Sequence, residues 1–141
     1  MFKRILVAVD LGHPEDAKVL IAEAGRLADF DNAELSLVAV IPDYGTSYVG
    51  SFFKEGTLKD AAETARVALH KLAESVLPER EPIQCIVEIG SVYEEILVAA
   101  KACGADLIVV GASKPDLADR VMGPNSARVA RYSEVSVLVM R

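Results

Sequence analysis

The sequence predicts an α/β fold, a five-stranded parallel doubly wound sheet with helices on both faces. Three observations predict it. Strand-like and helix-like periodicities alternate along the chain in the order β-α-β-α-β-α-β-loop-α-β, and such alternation implies parallel strands joined by right-handed crossovers. Several strand segments are continuous apolar runs, as strands covered on both faces must be. Apolar residues make up 52% of the 141 residues, enough to cover a sheet on both sides and too many for a disordered chain. A length of this order suits one domain over residues 1–141.

Taken in order, residues 3–10 are an apolar run closed by Asp10, a strand covered on both faces. Gly12-His13-Pro14-Glu15-Asp16 then makes a loop, with proline suited to the first helical position and acids suited to the first turn. Ala17, Leu20, Ile21, Ala24, Leu27 and Ala28 share one face of the helix that follows. Residues 34–41 form a second buried strand. Residues 58–77 form a longer helix with Leu58, Ala61, Ala62, Ala65, Leu69, Leu72 and Val76 along one stripe, stopped by Pro78 and Pro82.

Residues 83–89 alternate, with Ile83, Cys85, Val87 and Ile89 facing one way and Gln84 and Glu88 the other. That pattern fits a half-exposed strand near a sheet edge. Ser91-Val92-Tyr93-Glu94 has the spacing of a capping box, opening a helix over 92–103 that Gly104 closes. Residues 107–111 are a fourth buried strand, residues 125–133 a short helix, and residues 135–140 a fifth strand. In a doubly wound sheet, ligands sit outside the carboxyl ends of the strands, where the strand order reverses. Asp10, residues 40–42, Gly90 and Gly111 are therefore the positions at which to look for function.

Bulk properties remove several alternatives. The net charge of −6 argues against a general nucleic-acid binder, which needs a basic stripe to displace counterions. A phosphate group would have to be held by local backbone N–H groups rather than by a positive global field. Met1-Phe2-Lys3-Arg4 runs straight into a short apolar strand without a small-residue cleavage region, so a cytoplasmic protein is expected. No apolar stretch is long enough to span a bilayer, and no direct membrane insertion is expected. The two cysteines, Cys85 and Cys103, read as buried free thiols.

Three segments carry chemical content. Asp10 stands at the expected switch point, where a carboxylate accepts from a ribose hydroxyl or simply closes the strand with an Asx-type turn. The loop Gly111-Ala112-Ser113-Lys114-Pro115-Asp116, continuing through Gly123-Pro124-Asn125-Ser126, joins a buried strand to a helix start. Glycines there permit close backbone approach, Asn125 and Ser126 sit where anions bind well, and Lys114 adds a point charge. The loop is neither a P-loop nor a G-x-G-x-x-G fingerprint. Tyr44-Gly45-Thr46-Ser47-Tyr48-Val49-Gly50-Ser51-Phe52-Phe53 holds four of the eight aromatics and reads as a ligand lid or a partner contact. His13 and His70 lack metal-like spacing and read as surface or loop histidines. Arg128 and Arg131 read as a solvated face, and Asp116 and Asp119 as solvated loop acids. No catalytic constellation and no metal site of protein ligands is expected.

Jointly, several of these pieces resemble the universal stress protein family over nearly the whole chain. They are Ile5-Leu6-Val7-Ala8-Val9-Asp10, Val38-Ala39-Val40-Ile41-Pro42, Glu88-Ile89-Gly90-Ser91, Ala105-Asp106-Leu107-Ile108-Val109-Val110-Gly111 and Ser136-Val137-Leu138-Val139-Met140-Arg141. The Pro115-Asp116 step and the Gly123-x-Asn125 turn look most like the F- and G-type bacterial members. The resemblance implies a flavodoxin-like sheet of order 3-2-1-4-5, a homodimer, and bound ATP or AMP with magnesium or manganese. It implies that Asp10, with Ala8 and Val9 before it, and the backbone of Val40 hold ribose and adenine.

ATP-binding members carry the phosphate signature G-x2-G-x9-G-[ST]. Gly111 matches its first glycine. Lys114 stands in place of the second, and Gly123 matches the third with one residue fewer between. Pro124 replaces the hydroxyl residue, and Ser126 matches a frequent small hydroxyl residue two positions later. Lysine at 114 forfeits easy positive φ but brings charge, while Pro124 removes an N–H and a hydroxyl from the phosphate cradle.

Two functional readings follow. One is a stress-response regulatory protein that binds ATP or AMP and signals to an unknown protein partner. The other is a nucleotide-independent dimeric binding module of the same fold, its ATP site degraded. A slow phosphohydrolase lacks a base, an arginine clamp and a second carboxylate beside Asp10. The last strand, Val135-Ser136-Val137-Leu138-Val139-Met140, is an apolar edge without charge or proline and invites pairing with another chain; family members pair through it.

Overall fold

All five strands expected from the sequence form, and they lie parallel in one sheet. The computed structural model describes residues 1–42, 55–80, 82–112 and 124–141. Along the chain come β1 (Arg4–Ala8), α1 (Pro14–Asp31), β2 (Glu34–Pro42), α2 (Glu55–Val76) and β3 (Gln84–Gly90). They are followed by α3 (Val92–Cys103), β4 (Leu107–Gly111), α4 (Asn125–Tyr132) and β5 (Ser136–Met140). The strand order is β3-β2-β1-β4-β5, the flavodoxin-like order that the resemblance implies. Loop residues 44–53 and 113–123 lie outside the described residues.

The pleat divides the apolar residues into two layers. Ile5, Val7, Val9, Leu107 and Val109 meet Leu20, Ile21 and Ala24 of α1 and Leu69 and Ala73 of α2. Leu6, Ala8, Ile108 and Val110 meet Ile96 and Ala99 of α3 and Val129 of α4. Each large aliphatic side chain buried this way contributes about 1.5–3 kcal/mol, so the continuous runs of β1 and β4 belong at the centre. Within α2 the stripe is rotated slightly from the sequence expectation: Ala61 is exposed and Ala73 is buried. β3 is an edge strand, as its alternation suggested. Ile83, Cys85 and Val87 pack on the α1–α2 side, while Ile86 packs on the other. Ile89, expected on the same face as these three, is 38% exposed.

Helix ends follow local chemistry with one exception. Pro14 begins α1, and Glu15 and Asp16 sit in its first turn, where the positive end of the helix dipole favours them. Gly104 ends α3 at φ 68°, the left-handed cap that glycine adopts without strain. A side chain there would also press on Arg4, since an added Cβ would lie 2.9 Å from its Nη1. Asn32 makes the same kind of left-handed cap for α1 at φ 54°. The exception is Ser91, whose side chain makes no cap hydrogen bond. The expected capping box is not formed. The Tyr93 N–H donates instead to Oδ1 of Asn125 at 3.2 Å, and Glu94 accepts from the Tyr93 hydroxyl at 3.1 Å.

Cys85 and Cys103 are free and half-buried rather than fully buried. Burial pushes the Cys85 thiol up to about 11 and raises Cys103 as well, so both stay protonated near neutral pH and are poor nucleophiles. No described helix is long and apolar enough to cross a membrane.

Asp106 clamps the entry into β1. Its carboxylate accepts from the Lys3 and Arg4 N–H groups at 2.9 Å each, and its own N–H donates to the Arg4 carbonyl at 2.9 Å. Partial burial disfavours the charged carboxylate, but the Arg4 and Lys3 N–H groups outweigh it and hold the carboxyl below its ordinary range. A carboxyl depressed on folding stabilises above its unfolded value, near 4, and loses that contribution as the pH falls through the folded value. Asp106→Ala is therefore expected to cost about 0.5–1.5 kcal/mol at pH 7, since these contacts are open to solvent, which screens them, and clearly less near pH 3. Urea denaturation of both proteins at the two pH values checks this; an equal difference at both would contradict it.

Candidate functional site

The strand order reverses between β1 and β4, because α1 carries the chain from β1 towards β2 while β4 arrives from β3 by way of α3. At that point the central strand is also the shortest in reach. The β1–β2 ladder stops at Ala8↔Val38, whereas the β2–β3 ladder runs on to Pro42↔Gly90. On the other side the β1–β4 ladder stops at Val7↔Val109, whereas β4 pairs with β5 as far as Gly111↔Met140. The neighbours of β1 therefore outrun it and leave a notch at the carboxyl end of the sheet. Asp10 follows the end of β1 there, with residues 40–42 of β2 on one side and Gly111 of β4 on the other.

Each expected residue can be placed on this frame. Ala8 and Val9 are buried, at 2% and 3% exposure, so they meet a ligand only through backbone atoms. The Val9 N–H still donates to the Val38 carbonyl at 2.8 Å, and the chain turns away from the sheet only at Asp10. Val40 is half-buried in the overhanging part of β2. At Gly111 an added Cβ would meet no described heavy atom within 4 Å, and a glycine permits the close backbone approach that a ligand needs.

Pro124 precedes α4 with helical backbone angles and has no N–H to offer. Asn125 begins α4 and is tied to the start of α3 through Tyr93, which draws the amino ends of two helices together beside the notch. Ser126 is 3% exposed and engaged within the protein. Ser113, Lys114 and Gly123, with Asp116 and Asp119, lie outside the described residues, as does the aromatic segment 44–53. Gly90 closes β3 at φ 151°, a backbone angle that selects glycine; a Cβ there would lie 2.9 Å from Oε1 of the Glu95 side chain.

Asp10 does form the Asx-type turn that competed with a ligand role in the sequence. Its Oδ1 accepts from the Gly12 N–H at 2.9 Å. Sequence reading missed its second partner: Oδ2 lies 3.1 Å from Nδ1 of His13. The D-x-x-H spacing ahead of a helix was the available signal, because a tight turn brings residues three apart together. His70 is exposed on α2. Arg128 and Arg131 are exposed and lie 5.5 Å from the ring centroids of Tyr93 and Tyr132 respectively, which fits a surface face rather than a clamp on a ligand.

A second concave surface lies away from the notch. A groove of about 450 Å³ between the carboxyl end of α3 and the end of α4 is lined by Leu97, Val98, Lys101, Tyr132 and Val135. It flanks β5, which is an edge strand. Val98 and Tyr132 in it, and Val139 on the same face of β5 as Val135 and Val137, are 41–56% exposed, so apolar surface continues from the groove onto the strand.

Comparison with known proteins gives one consistent result. The model of the universal stress protein family matches residues 1–141. Universal stress protein G of Shigella flexneri is 28% identical over 147 residues, covering all of both chains. Universal stress protein YxiE of Bacillus subtilis is 31% identical over 150 residues, again covering all of both. Among solved structures, hypothetical protein MJ0577 superposes with a TM-score of 0.77 at 25% identity, over 99% of this chain and 96% of that one. A universal stress protein in complex with cAMP superposes with a TM-score of 0.71 at 20% identity, over 99% and 97%.

Proposed function

The chain belongs to the universal stress protein family, and from that premise we propose that it is a stress-response regulatory protein that binds ATP or AMP in the notch and signals as a homodimer. The observation that carries this reading is the notch itself, with an acceptor just past the end of β1 and a glycine on β4 beside it that permits close backbone approach. Asp10 accepts from the ribose, the overhanging backbone at Val40 meets the base, and the phosphates lie towards Gly111 and the amino end of α4. Helix amino ends favour anions through their free N–H groups and dipoles. Ser113, Lys114, Gly123 and Asn125, with Ser126 through its backbone N–H, complete the phosphate contacts. Magnesium or manganese is held through the phosphates, as such ions usually are beside nucleotides. A universal stress protein of the same fold is in complex with cAMP, which supports a nucleotide as the kind of ligand.

The regulatory role, rather than catalysis, is the reading that the described residues around Asp10 support. Its described polar partners are the Gly12 N–H and His13, with no second carboxylate and no arginine in contact with it among them. Signalling then requires that the nucleotide bind two states of the protein with different affinity, read by a protein partner in the cytoplasm.

A second reading keeps the dimer and drops the nucleotide. Pro124 favours it, because a phosphate cradle loses an N–H at that position. Mass spectrometry of small molecules released from the denatured protein, followed by calorimetric titration with MgATP, separates the two. A stoichiometric adenine nucleotide, or saturable binding below millimolar, is the expected result. An empty protein that binds nothing at millimolar MgATP would overturn the nucleotide reading and leave the dimeric binding module.

A further inference from the structure

We propose that His13 is a positioning residue that sets the Asp10 carboxylate for a vicinal diol; the inference rests on the reading of Asp10 as the ribose acceptor. The turn after β1 holds this carboxylate by both oxygens. Oδ1 takes the Gly12 N–H at 2.9 Å and Oδ2 lies 3.1 Å from His13 Nδ1. The His13 N–H meanwhile donates to the Asp10 carbonyl at 3.1 Å, so backbone and side chain of one residue close the same turn. Gly12 leaves no slack: an added Cβ would stand 3.2 Å from Oδ1. The His13 and Asp10 side chains are 27% and 15% exposed, partly withdrawn from solvent yet still reachable.

An ionised carboxylate only accepts, so Nδ1 of His13 carries the hydrogen in this contact. Such a carboxylate has about four acceptor positions, two on each oxygen. The turn uses one on each and leaves one on each. Two neighbouring free acceptors in one plane suit two neighbouring O–H donors, which is what the 2′- and 3′-hydroxyls of a ribose present. The carboxylate torsion is broad when unconstrained. Gly12 alone fixes one oxygen, and His13 is needed to fix the plane. Without His13 the carboxylate turns about the Oδ1 contact and holds one hydroxyl at a time.

The test compares ATP with 2′,3′-dideoxy-ATP, both with magnesium, by calorimetry on the full chain. The unmodified protein is expected to prefer ATP by tenfold or more, on the order of what a pair of hydrogen bonds to a charged group supplies. Asp10→Ala should abolish the preference. His13→Ala should cut it to about threefold or less while the protein still binds dideoxy-ATP with unchanged affinity, and His13→Asn, which keeps a donor near the Nδ1 position, should restore most of it. A loss of affinity equal for both nucleotides in His13→Ala would mean a merely structural role and would overturn the inference. So would a full preference retained in His13→Ala while Asp10→Ala has lost it; the ribose reading of Asp10 would then stand. A protein that binds no nucleotide, or binds both alike, fails at the ribose reading itself and takes this inference with it.

Discussion

Asp10→Ala is expected to weaken MgATP binding by about 10- to 100-fold, corresponding to about 1.4–2.8 kcal/mol, while lowering stability by only about 1 kcal/mol. The asymmetry comes from what the carboxylate does in each state. In the free protein it satisfies the Gly12 N–H and the His13 side chain, both close enough to solvent for water to replace it in part. In the complex it would accept from hydroxyl groups that the bound base and phosphates hold against it, where water no longer substitutes freely. A site built to accept from a hydroxyl discriminates strongly when either partner is removed. Isothermal titration checks the affinity and thermal melting without ligand checks the fold. An affinity unchanged within twofold would remove Asp10 from the site.

The sequence exposed the fold through one physical circumstance: strands buried on both faces must be apolar at every position. Residues 5–9 and 107–110 could hardly be anything else, and both lie at the centre of the sheet. Periodicity said nothing about which strand neighbours which, because pairing is non-local; the order came only from the family resemblance. The misreadings have the same origin. Ser91-x-x-Glu94 has the right spacing for a cap, yet Ser91 makes no cap bond, and tertiary structure brings Asn125 to the neighbouring first-turn N–H of Tyr93. Ala61 and Ala73 are both alanines on one helix, and only the sheet's position decides which is covered.

The candidate site was legible to a similar depth. Asp10 and Gly111 could be named because doubly wound sheets put ligands at strand ends. That β1 stops short of both neighbours could not be seen, since ladder ends depend on register rather than on composition. The His13 partnership with Asp10 was hidden for a related reason. A lone histidine in a loop is uninformative until the turn that folds it back is known.

Val139→Asp is expected to convert a homodimer into monomers at micromolar concentration, with a loss of several kcal/mol in association. β5 pairs with β4 along one side only, and its other side is the free edge of the sheet. That edge carries Val137, Leu138 and Val139 without a charge, and the last two are 40% and 41% exposed. An uncharged, apolar edge is a template for another strand unless something covers it. Pairing of two copies about a two-fold axis is isologous, so each residue near the axis meets its own counterpart. A carboxylate placed there appears twice, faces its own charge and loses water on both copies, and like charges set against each other across an interface cost several kcal/mol. Position 139 is the better site for the change than Val137. It is more exposed in the single chain, whereas Val137 packs on the α3–α4 layer and a charge there would also strain the monomer. Val19→Asp serves as the control, because Val19 is 62% exposed on α1 and lies on no part of β5. Sedimentation velocity should show dimers for the unmodified protein and the Val19 variant and monomers for Val139→Asp. Dimers in all of them would move the interface away from β5, and the apolar groove between α3 and α4 would then have to be tested by a charge at Val98.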